Sequence, residues 1–449
     1  MLWRDGESGV KQLLRKSLSG LGAIAGIVLP IVVLIVLPWW MLPVGAALLA
    51  GWMALTRVGQ QTWSVTKVGI ATIPQRLGSS SVVVVGIAGV VGVLVALLAM
   101  AAGFQATLRQ TGSADTAIVI RAGAQTELNS VLDHDQATLI SQQPQVLKNA
   151  QGQPIASPEL VVVASLPKKS NGLDANVEIR GIGERAWDLR PKVKLIAGRK
   201  FGLGLRELIV GKGALAQFSG VEIGSSLKLN GQVWNVVGEF DSGDANNSEL
   251  WGDTTVVGST YRRGSSTTSV TVRLTDAAAF DAFKAGLASD PRIRVDVSTT
   301  RDYYNQQSEN LARLIRILGT TVGIIMAIGA VFGALNTMYA AVATRTREIA
   351  TLRAIGFRGV PVVVSVLLET LLLAVLGGAL GAAIAWVLFD DYTASTLGNN
   401  FSQVVFDFKV SPQLLWSGLK WALAIGLVGG LFPAIRAARM PVTAGLREL

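Results

Sequence analysis

Residues 81–103 read SVVVVGIAGVVGVLVALLAMAAG, a run without a charged side chain. A helix needs about 20 apolar residues to cross a bilayer, so this stretch predicts a membrane span. Three similar runs follow at residues 318–341, 360–389 and 415–434. Hydrophobic residues make up 50% of the 449-residue chain and charged residues 16%, below the roughly 25% charge of soluble domains. The fold class is therefore an α-helical membrane protein.

A further apolar stretch at residues 18–55 is broken at Pro38-Trp39-Trp40. Because Trp favours the membrane interface, residues 1–57 are predicted to form an N-terminal transmembrane hairpin with its turn at that interface. A re-entrant loop is the alternative, because each arm is short and Pro30 interrupts the first.

The excess of positive charge predicts the orientation in the membrane. Residues 104–317 hold 24 basic against 22 acidic residues, which leaves 16 against 8 of the chain's 40 and 30 for the remainder. The flanking basic residues would share one side if every run crosses once, the cytoplasmic side. The opposite, periplasmic side then receives residues 104–317 and the loop 390–412, and both termini are cytoplasmic. These basic residues are Arg4, Lys11, Arg15, Lys16, Arg57, Lys67, Arg76, Arg345, Arg347, Arg353, Arg358, Arg436, Arg439 and Arg447.

Residues 104–317 predict a large α+β domain. Strand-like segments at 117–121, 161–165, 269–274 and 293–297 enclose helical stretches at 133–142 and 276–287. This order indicates an α/β lobe interrupted by a β subdomain at about residues 172–257, in which Asn230-Gly231 is a hairpin turn. A helical pattern at 301–317 leads into the second core span and predicts a stalk.

The sequence lacks the residues that nucleotide hydrolysis, cysteine chemistry and histidine-based sites require. The 449 residues contain no G-x-x-x-x-G-K-[ST] phosphate loop, no cysteine and one histidine, His134. We therefore expect no catalytic, cofactor or metal site in this chain. Glu369 is a functional candidate because it lies inside an apolar run, although a structural hydrogen bond to a neighbouring helix explains it equally well.

Residues 345–356 read RTREIATLRAIG, between the second and third of the four runs. At helical spacing Ile349, Leu352 and Ile355 share an apolar face, and Gly356 suits a helix stop. Charge around that face comes from Arg345, Arg347, Glu348 and Arg353. Such a helix either rests on the inner leaflet or docks into a groove of a soluble partner.

The string at 345–356 resembles the coupling segment of MacB/FtsX-type permeases, also called type VII ABC transporters. The strings LIAGR at 195–199, LIVG at 208–211, IGSSLKLNG at 223–231 and VVGEF at 236–240 resemble the periplasmic core of that family. GGLFPAIRAAR at 429–439, followed by Pro441 and AGLR at 444–447, resembles its C-terminal signature. The resemblance covers residues 58–449 and leaves the N-terminal hairpin as an addition to the four-span core.

This resemblance implies a domain layout. An amphipathic elbow near residues 66–77 and the first core span occupy residues 58–103, and the periplasmic domain follows at 104–317. Residues 318–449 hold three core spans, a coupling helix at 344–356 and the periplasmic loop 390–412.

The resemblance also implies partners. A second permease copy or homologous permease and two copies of a P-loop ATPase subunit, which binds ATP and Mg, would complete the machine in a bacterial inner membrane. The coupling residues in contact with the ATPase would be Arg345, Arg347, Glu348, Ile349, Leu352, Arg353, Ile355 and Gly356.

Three functions remain open at this point: export by mechanotransmission, with or without a periplasmic adaptor and an outer-membrane channel; lipoprotein or lipid extraction; and regulation of a periplasmic cell-wall hydrolase. A periplasmic domain of this size favours the first two, since the signalling branch of the family usually has a smaller one.

Overall fold

The computed structural model describes residues 34, 36–38, 40–398 and 400–443. The first arm of the predicted N-terminal hairpin and the end of the C-terminal signature lie outside these residues. The chain divides into two compact units. One, the helical unit, comprises the chain up to Ala99, Arg316–Asp390 and the residues from Val410 onward. The other, the sheet unit, comprises Met100–Ile315 and Asp391–Lys409.

Among the described residues, four helices are long and apolar enough to cross a membrane: Ile73–Thr111 (a 3₁₀ turn, Ile73–Arg76, leading into the α-helix Leu77–Thr111), Thr300–Thr344, Gly359–Phe389 and Pro412–Arg439. The helices Met41–Leu55 and Arg57–Ala71 meet at a bend of 105° and add at most one more span. Met41–Leu55 corresponds to the second arm of the predicted hairpin. The six-span count also needs the first arm and so stays a prediction.

The amphipathic segment before the first core span is longer than the sequence indicated. A helix runs over Arg57–Ala71, capped at Thr56, whose hydroxyl accepts from the Gly59 amide at 2.9 Å. It therefore begins nine residues before the elbow expected at 66–77. Its buried face consists of small and β-branched residues, Gly59, Thr62, Val65, Thr66 and Gly69, which permits close packing against another helix.

Glycines set the distance between neighbouring helices in the helical unit. A methyl group added at Gly381 would lie 2.3 Å from the Ala88 carbonyl oxygen, and one at Gly377 would lie 2.7 Å from that of Val84. These helices therefore touch backbone to backbone, as small-xxx-small pairs allow. Gly329 and Gly333, by contrast, face nothing within 4 Å in the described residues.

The sheet unit contains a ten-stranded mixed sheet. Its strands are β1 (Thr116–Arg121), β2 (Ala156–Pro167), β3 (Asp174–Ile182), β4 (Lys194–Gly198), β5 (Glu207–Gly211), β6 (Ser226–Leu229), β7 (Gln232–Asp241), β8 (Glu249–Asp253), β9 (Ser269–Arg273) and β10 (Val295–Thr299). They run in the order β10-β1-β9-β2-β3-β8-β5-β7-β4, with β6 also paired to β7.

The first four strands of that order form a lobe with helices His134–Ser141 and Ala279–Ser289. Strand β9 pairs antiparallel with both β1 and β2, and β1 pairs antiparallel with β10. This is the split β-α-β arrangement of ferredoxin-like folds. The two β-α-β units expected from the sequence are present, each with one antiparallel strand inserted between its own two.

The inserted β subdomain shares a strand with this lobe. Residues Ala156–Glu159 of β2 pair with β9, whereas Leu160–Pro167 pair with β3. The remaining insertion strands continue from β3, with parallel pairs β3–β8 and β5–β7. The predicted turn at Asn230-Gly231 is confirmed: Leu229 pairs with Gln232, and both turn residues have positive φ, 44° and 81°, as a type I′ turn requires.

Two segments placed outside the membrane by the sequence have defined structure. The loop at 390–412 contains an antiparallel hairpin, β11 (Thr393–Leu397) and β12 (Gln403–Asp407), which belongs to the sheet unit. We call residues 391–409 the loop hairpin. The stalk pattern at 301–317 is the start of one unbroken helix of 45 residues, Thr300–Thr344.

Candidate functional site

The coupling helix is the short helix Thr346–Ala354, which follows directly on the helix Thr300–Thr344. Its end is fixed by Gly356, whose φ of +104° is strained for any residue with a side chain. The Phe357 amide donates to the Leu352 carbonyl and the Gly356 amide to the Arg353 carbonyl, each at 3.1 Å. These two bonds form a Schellman motif and turn the chain sharply after Ile355.

The apolar face predicted for this helix is divided between two environments. Ile349 is 5% exposed and packs with Met338, Val342, Val362, Val366, Ala434 and Ala437. Ile355 is 69% exposed, and Leu352 is half-buried. The expectation that Ile349 faces a partner is therefore corrected: six residues, well over one turn, separate it from the exposed Ile355, and it points into the core of the helical unit.

The charged residues of the segment are divided in the same way. Arg347 and Glu348 are exposed. Arg353 instead donates from Nη1 to the Met440 carbonyl, at the C-terminal cap of the helix Pro412–Arg439. Arg345 is largely buried, with 11% of its side chain exposed. The surface that a partner could reach thus contains Arg347, Glu348, part of Leu352, Ile355 and Gly356.

Arg345 connects the coupling helix to the candidate carboxylate inside the third core span. Glu369 Oε2 accepts from Arg345 Nη1 at 3.3 Å, and Glu369 Oε1 accepts from Arg76 Nη2 at 2.6 Å. The Glu369 side chain is 4% exposed. We call Arg76, Arg345 and Glu369 the Glu369 triad. A low-dielectric setting makes such pairs costly to break, so the triad ties three separate segments together.

Gly69 makes room for the triad. A methyl group at this position would lie 3.2 Å from Glu369 Oε2 and 3.3 Å from Arg345 Nη1. Arg345 also donates from Nε to Glu348 at 3.0 Å. Arg345 is therefore shared between the exposed carboxylate of Glu348 and the buried carboxylate of Glu369.

The sheet unit holds a second cluster of charges, which the sequence analysis did not find. Arg180 on β3 is 2% exposed and forms ion pairs with four carboxylates at 2.8–3.0 Å. Arg190 pairs with one of them, Glu159, at 2.7 Å. We call this set the Arg180 cluster; it consists of Arg180, Arg190, Glu127, Glu159, Glu178 and Glu249. The available signal was Glu178 and Arg180 at alternate positions of a strand, which places both on one face.

The carboxylates of this cluster differ in their affinity for protons. Burial and the nearby Glu249 charge raise the pKa of Glu178 to about 8. Burial also acts on Glu159, but Arg190 and Arg180 outweigh it and hold the pKa of Glu159 below its usual value. Two neighbours of one buried cluster thus favour opposite protonation states.

Two family models match this chain. The MacB-like periplasmic core domain matches residues 80–289, and the FtsX-like permease C-terminal domain matches residues 320–442. Among the described residues, no group of acidic or histidine side chains could hold a metal ion.

The names of curated relatives describe both ATP binding and a permease. The chain is 26% identical over 318 residues to the macrolide export ATP-binding/permease protein MacB 1 of Aeromonas hydrophila, covering 65% of this chain and 46% of that protein. It is 23% identical to the MacB of Neisseria gonorrhoeae, covering 64% of this chain and 47% of the relative. The chain thus spans about half the length of the curated relatives it matches.

Two solved structures align with part of this chain. The periplasmic region of MacB from Actinobacillus actinomycetemcomitans has a TM-score of 0.33 and 19% identity, covering 44% of this chain and 93% of that structure. The extracellular domain of the Gram-positive transporter YknZ has a TM-score of 0.31 and 16% identity, with coverages of 41% and 100%. On the two family models and the curated relatives, this chain belongs to the MacB/FtsX-type permeases of ABC transporters.

Proposed function

We propose that this chain receives ATP-driven motion from a P-loop ATPase partner at its coupling helix and passes it to the periplasmic domain to export a substrate. The substrate would be taken from the periplasm or the outer leaflet. The observation that carries the proposal is the exposed end of the coupling helix, where Ile355 is 69% exposed and Glu348 54%. The names of the relatives, macrolide export ATP-binding/permease proteins, support export and the use of ATP.

The physical route from the coupling helix begins with two links. Ile349 anchors the helix in the core of the helical unit, so a push on Ile355 moves the helix as a body. Arg345 then joins that motion to Glu369 and Arg76. We infer that the displacement reaches the periplasmic domain along the helix Thr300–Thr344, whose 45 residues span roughly 68 Å at 1.5 Å per residue.

A second permease copy is part of the proposal. Only 22% of the most apolar stretch of the helix Thr300–Thr344 is buried, against 44–50% of the corresponding stretch in each of the other three candidate spans. Ile325, Ile328 and Phe332 are exposed on it, and Gly329 and Gly333 are open. An apolar helix with an open small-xxx-small pair suits close packing against another helix, as a dimer of permeases clamped on two ATPase subunits needs.

The coupling helix is tested by substitutions on its exposed end. Ile355→Asp, Leu352→Asp or Glu348→Arg should abolish retention of the ATPase partner and its stimulated ATPase activity. Losing an apolar side chain buried at an interface costs about 2–5 kcal/mol, which weakens binding at least about 10-fold. Each variant would be purified in mild detergent, its partner quantified and its membrane abundance compared with that of the unaltered chain.

The matched control is Leu203→Asp, the same kind of change at a residue that is 60% exposed in the sheet unit. It should leave the partner bound. A coupling helix that only rests on lipid predicts that Glu348→Arg is neutral or favours the anionic inner leaflet. Unaltered partner binding in all three coupling variants, at normal membrane levels, would refute the docking role.

A further inference from the structure

The loop hairpin is held to the rest of the sheet unit by polar contacts. Asn400 Nδ2 donates to Glu178 Oε2 at 3.0 Å, and Ser402 Oγ donates to the same oxygen at 3.3 Å. The Asn176 side chain donates to the Phe401 carbonyl at 3.0 Å, and the Val405 amide donates to Ser248 Oγ at 2.8 Å. The turn of the hairpin thus covers Glu178, which is 6% exposed.

Glu178 lies in a cluster with more negative than positive groups. The Arg180 cluster has four carboxyl groups and two guanidinium groups, so full ionisation would leave two negative charges in excess. Burying uncompensated charge is costly, and a carboxyl group escapes the cost by keeping its proton. The groups that surround Glu178 are Arg180 on its own strand, Glu127 on the turn after β1, Glu249 on β8, Tyr303 and Tyr304 on the helix Thr300–Thr344, and, beyond Arg180, Glu159 and Arg190.

The contacts of the hairpin are compatible with a neutral Glu178. Asn400 and Ser402 both donate to Oε2, which can accept them as the carbonyl oxygen of a protonated carboxyl group. The hydrogen bond from Asn400 lowers the pKa of Glu178, but burial and the Glu249 charge outweigh it. Lifting the turn therefore removes the burial that keeps the proton on Glu178.

We propose that Glu178 is the proton-binding site of a latch: its neutral carboxyl group holds the loop hairpin down, and loss of the proton loosens the hairpin. Deprotonation leaves a buried carboxylate near Glu127 and Glu249, and lifting the turn formed by Asn400 and Ser402 exposes that charge to water. The attachment of the hairpin therefore responds to the pH of the compartment that contains the sheet unit. The latch does not depend on the identity of the exported substrate.

The direction of the pH dependence follows from the raised pKa of Glu178. With the hairpin seated the pKa is about 8, and with the turn lifted it falls towards the ordinary value of 4.5. Between these two values only the seated state keeps the proton. Opening should therefore become up to tenfold easier per pH unit across this window and level off above a pH of about 8.

Hydrogen exchange on the full-length chain in detergent tests the latch. The peptide covering 391–409 is followed as a function of pH, corrected for intrinsic exchange and referenced to a peptide covering His134–Ser141. The unaltered chain should show deprotection of the hairpin rising from pH 4.5 to about 8. Glu178→Gln, which is neutral at every pH, should show a flat profile, whereas the matched control Glu184→Gln, at an exposed carboxylate, should keep the slope.

A second variant tests the latch if Glu178→Gln does not fold. Asn400→Ala removes part of the cover but keeps Glu178, so the infrared carbonyl band of a protonated carboxylic acid should disappear at lower pH than in the unaltered chain. Equal pH slopes in the unaltered chain and Glu178→Gln would overturn the proposal. So would a carboxylic acid band that Asn400→Ala leaves unmoved.

Discussion

Glu369 is a carboxylate on a helix that is otherwise apolar, and its position explains its two partners. Residue 369 lies ten residues into the helix Gly359–Phe389, which places it about 15 Å from the start at 1.5 Å per residue. An arginine at a helix end can bring its guanidinium group to such a carboxylate while its stem packs against apolar surface. Arg76 and Arg345 both occupy such terminal positions, one before each of two neighbouring elements.

Removing the charge of Glu369 should destabilise the chain strongly. Glu369→Gln leaves the largely buried Arg76 without its carboxylate partner and leaves Arg345 with only the exposed Glu348, and breaking a buried pair costs about 3–5 kcal/mol. We expect a lower thermal unfolding temperature in detergent. Glu348→Gln, which breaks only the exposed pair with Arg345, should cost less than about 1 kcal/mol. Equal losses in the two variants would contradict a structural role for the triad.

Sequence reasoning identified Glu369 as a candidate but could not supply its partners. Arg76 is 293 positions away in the chain, and a single sequence carries no sign of such a contact. The Arg180 cluster was missed for the same reason, because its carboxylates come from three strands and a turn. Residue type and local burial pattern reveal that a charge is unusual, whereas the tertiary fold decides what it meets.

The helices of the helical unit depend on where their glycines face. The sequence contains four G-x-x-x-G pairs in its spans, and the motif itself does not distinguish one pair from another. The structure separates the four pairs by what an added methyl group would meet. Gly377 and Gly381 face backbone, and Gly329 and Gly333 face nothing described. The other two pairs face side chains: Leu97 and Leu94 at Gly319 and Gly323, and Ala374 and Thr370 at Gly426 and Gly430. Only the packing of neighbouring helices distinguishes a contact glycine from an open one.

Matched alanine substitutions test this distinction. Gly381→Ala forces a methyl group against the Ala88 carbonyl, and overpacking of this kind costs about 1–3 kcal/mol. Gly329→Ala meets no atom, so it should gain up to about 1 kcal/mol from helix propensity. Both changes alter propensity equally, so the difference between their unfolding temperatures measures packing. A similar unfolding temperature for the two variants would show that the close contact is absent.

At this scale local patterns predicted much of the structure. The strands near 117–121, 161–165, 269–274 and 293–297 and the turn at Asn230-Gly231 follow from alternation and turn chemistry, and the structure has them. The order of strands was not predictable, because β9 is inserted between β1 and β2 by contacts more than 100 residues apart. The exposed face of the coupling helix was predicted only in part, because the helical spacing of its apolar residues could not show that Ile349 faces the core.

At the scale of the whole molecule, the orientation in the membrane is the main expectation still to be measured. The chain has no cysteine, so single cysteines report without interference. Gln151→Cys and Thr351→Cys introduce thiols at exposed residues of the sheet unit and the coupling helix. In intact cells an impermeant thiol reagent that reaches the periplasm should label Gln151→Cys and spare Thr351→Cys.

Permeabilised cells provide the control, in which both thiols should react. Labelling of Thr351→Cys in intact cells would place the coupling helix outside and would remove the basis for an ATPase contact there.

The junction between the long helices and the sheet has a mechanical consequence. The helix Leu77–Thr111 enters β1 and the helix Thr300–Thr344 leaves β10 at the same end of this antiparallel pair, where Ala117 lies opposite Thr299. The Ser113 amide also donates to Thr300 Oγ1 at 2.9 Å. Sliding one helix along the other would therefore strain all the backbone hydrogen bonds between β1 and β10 together, because those bonds lie perpendicular to the strands. The junction thus acts as a lap joint. Such a joint resists sliding far better than peeling, so a displacement along either helix would shift the β1–β10 pair as a rigid body.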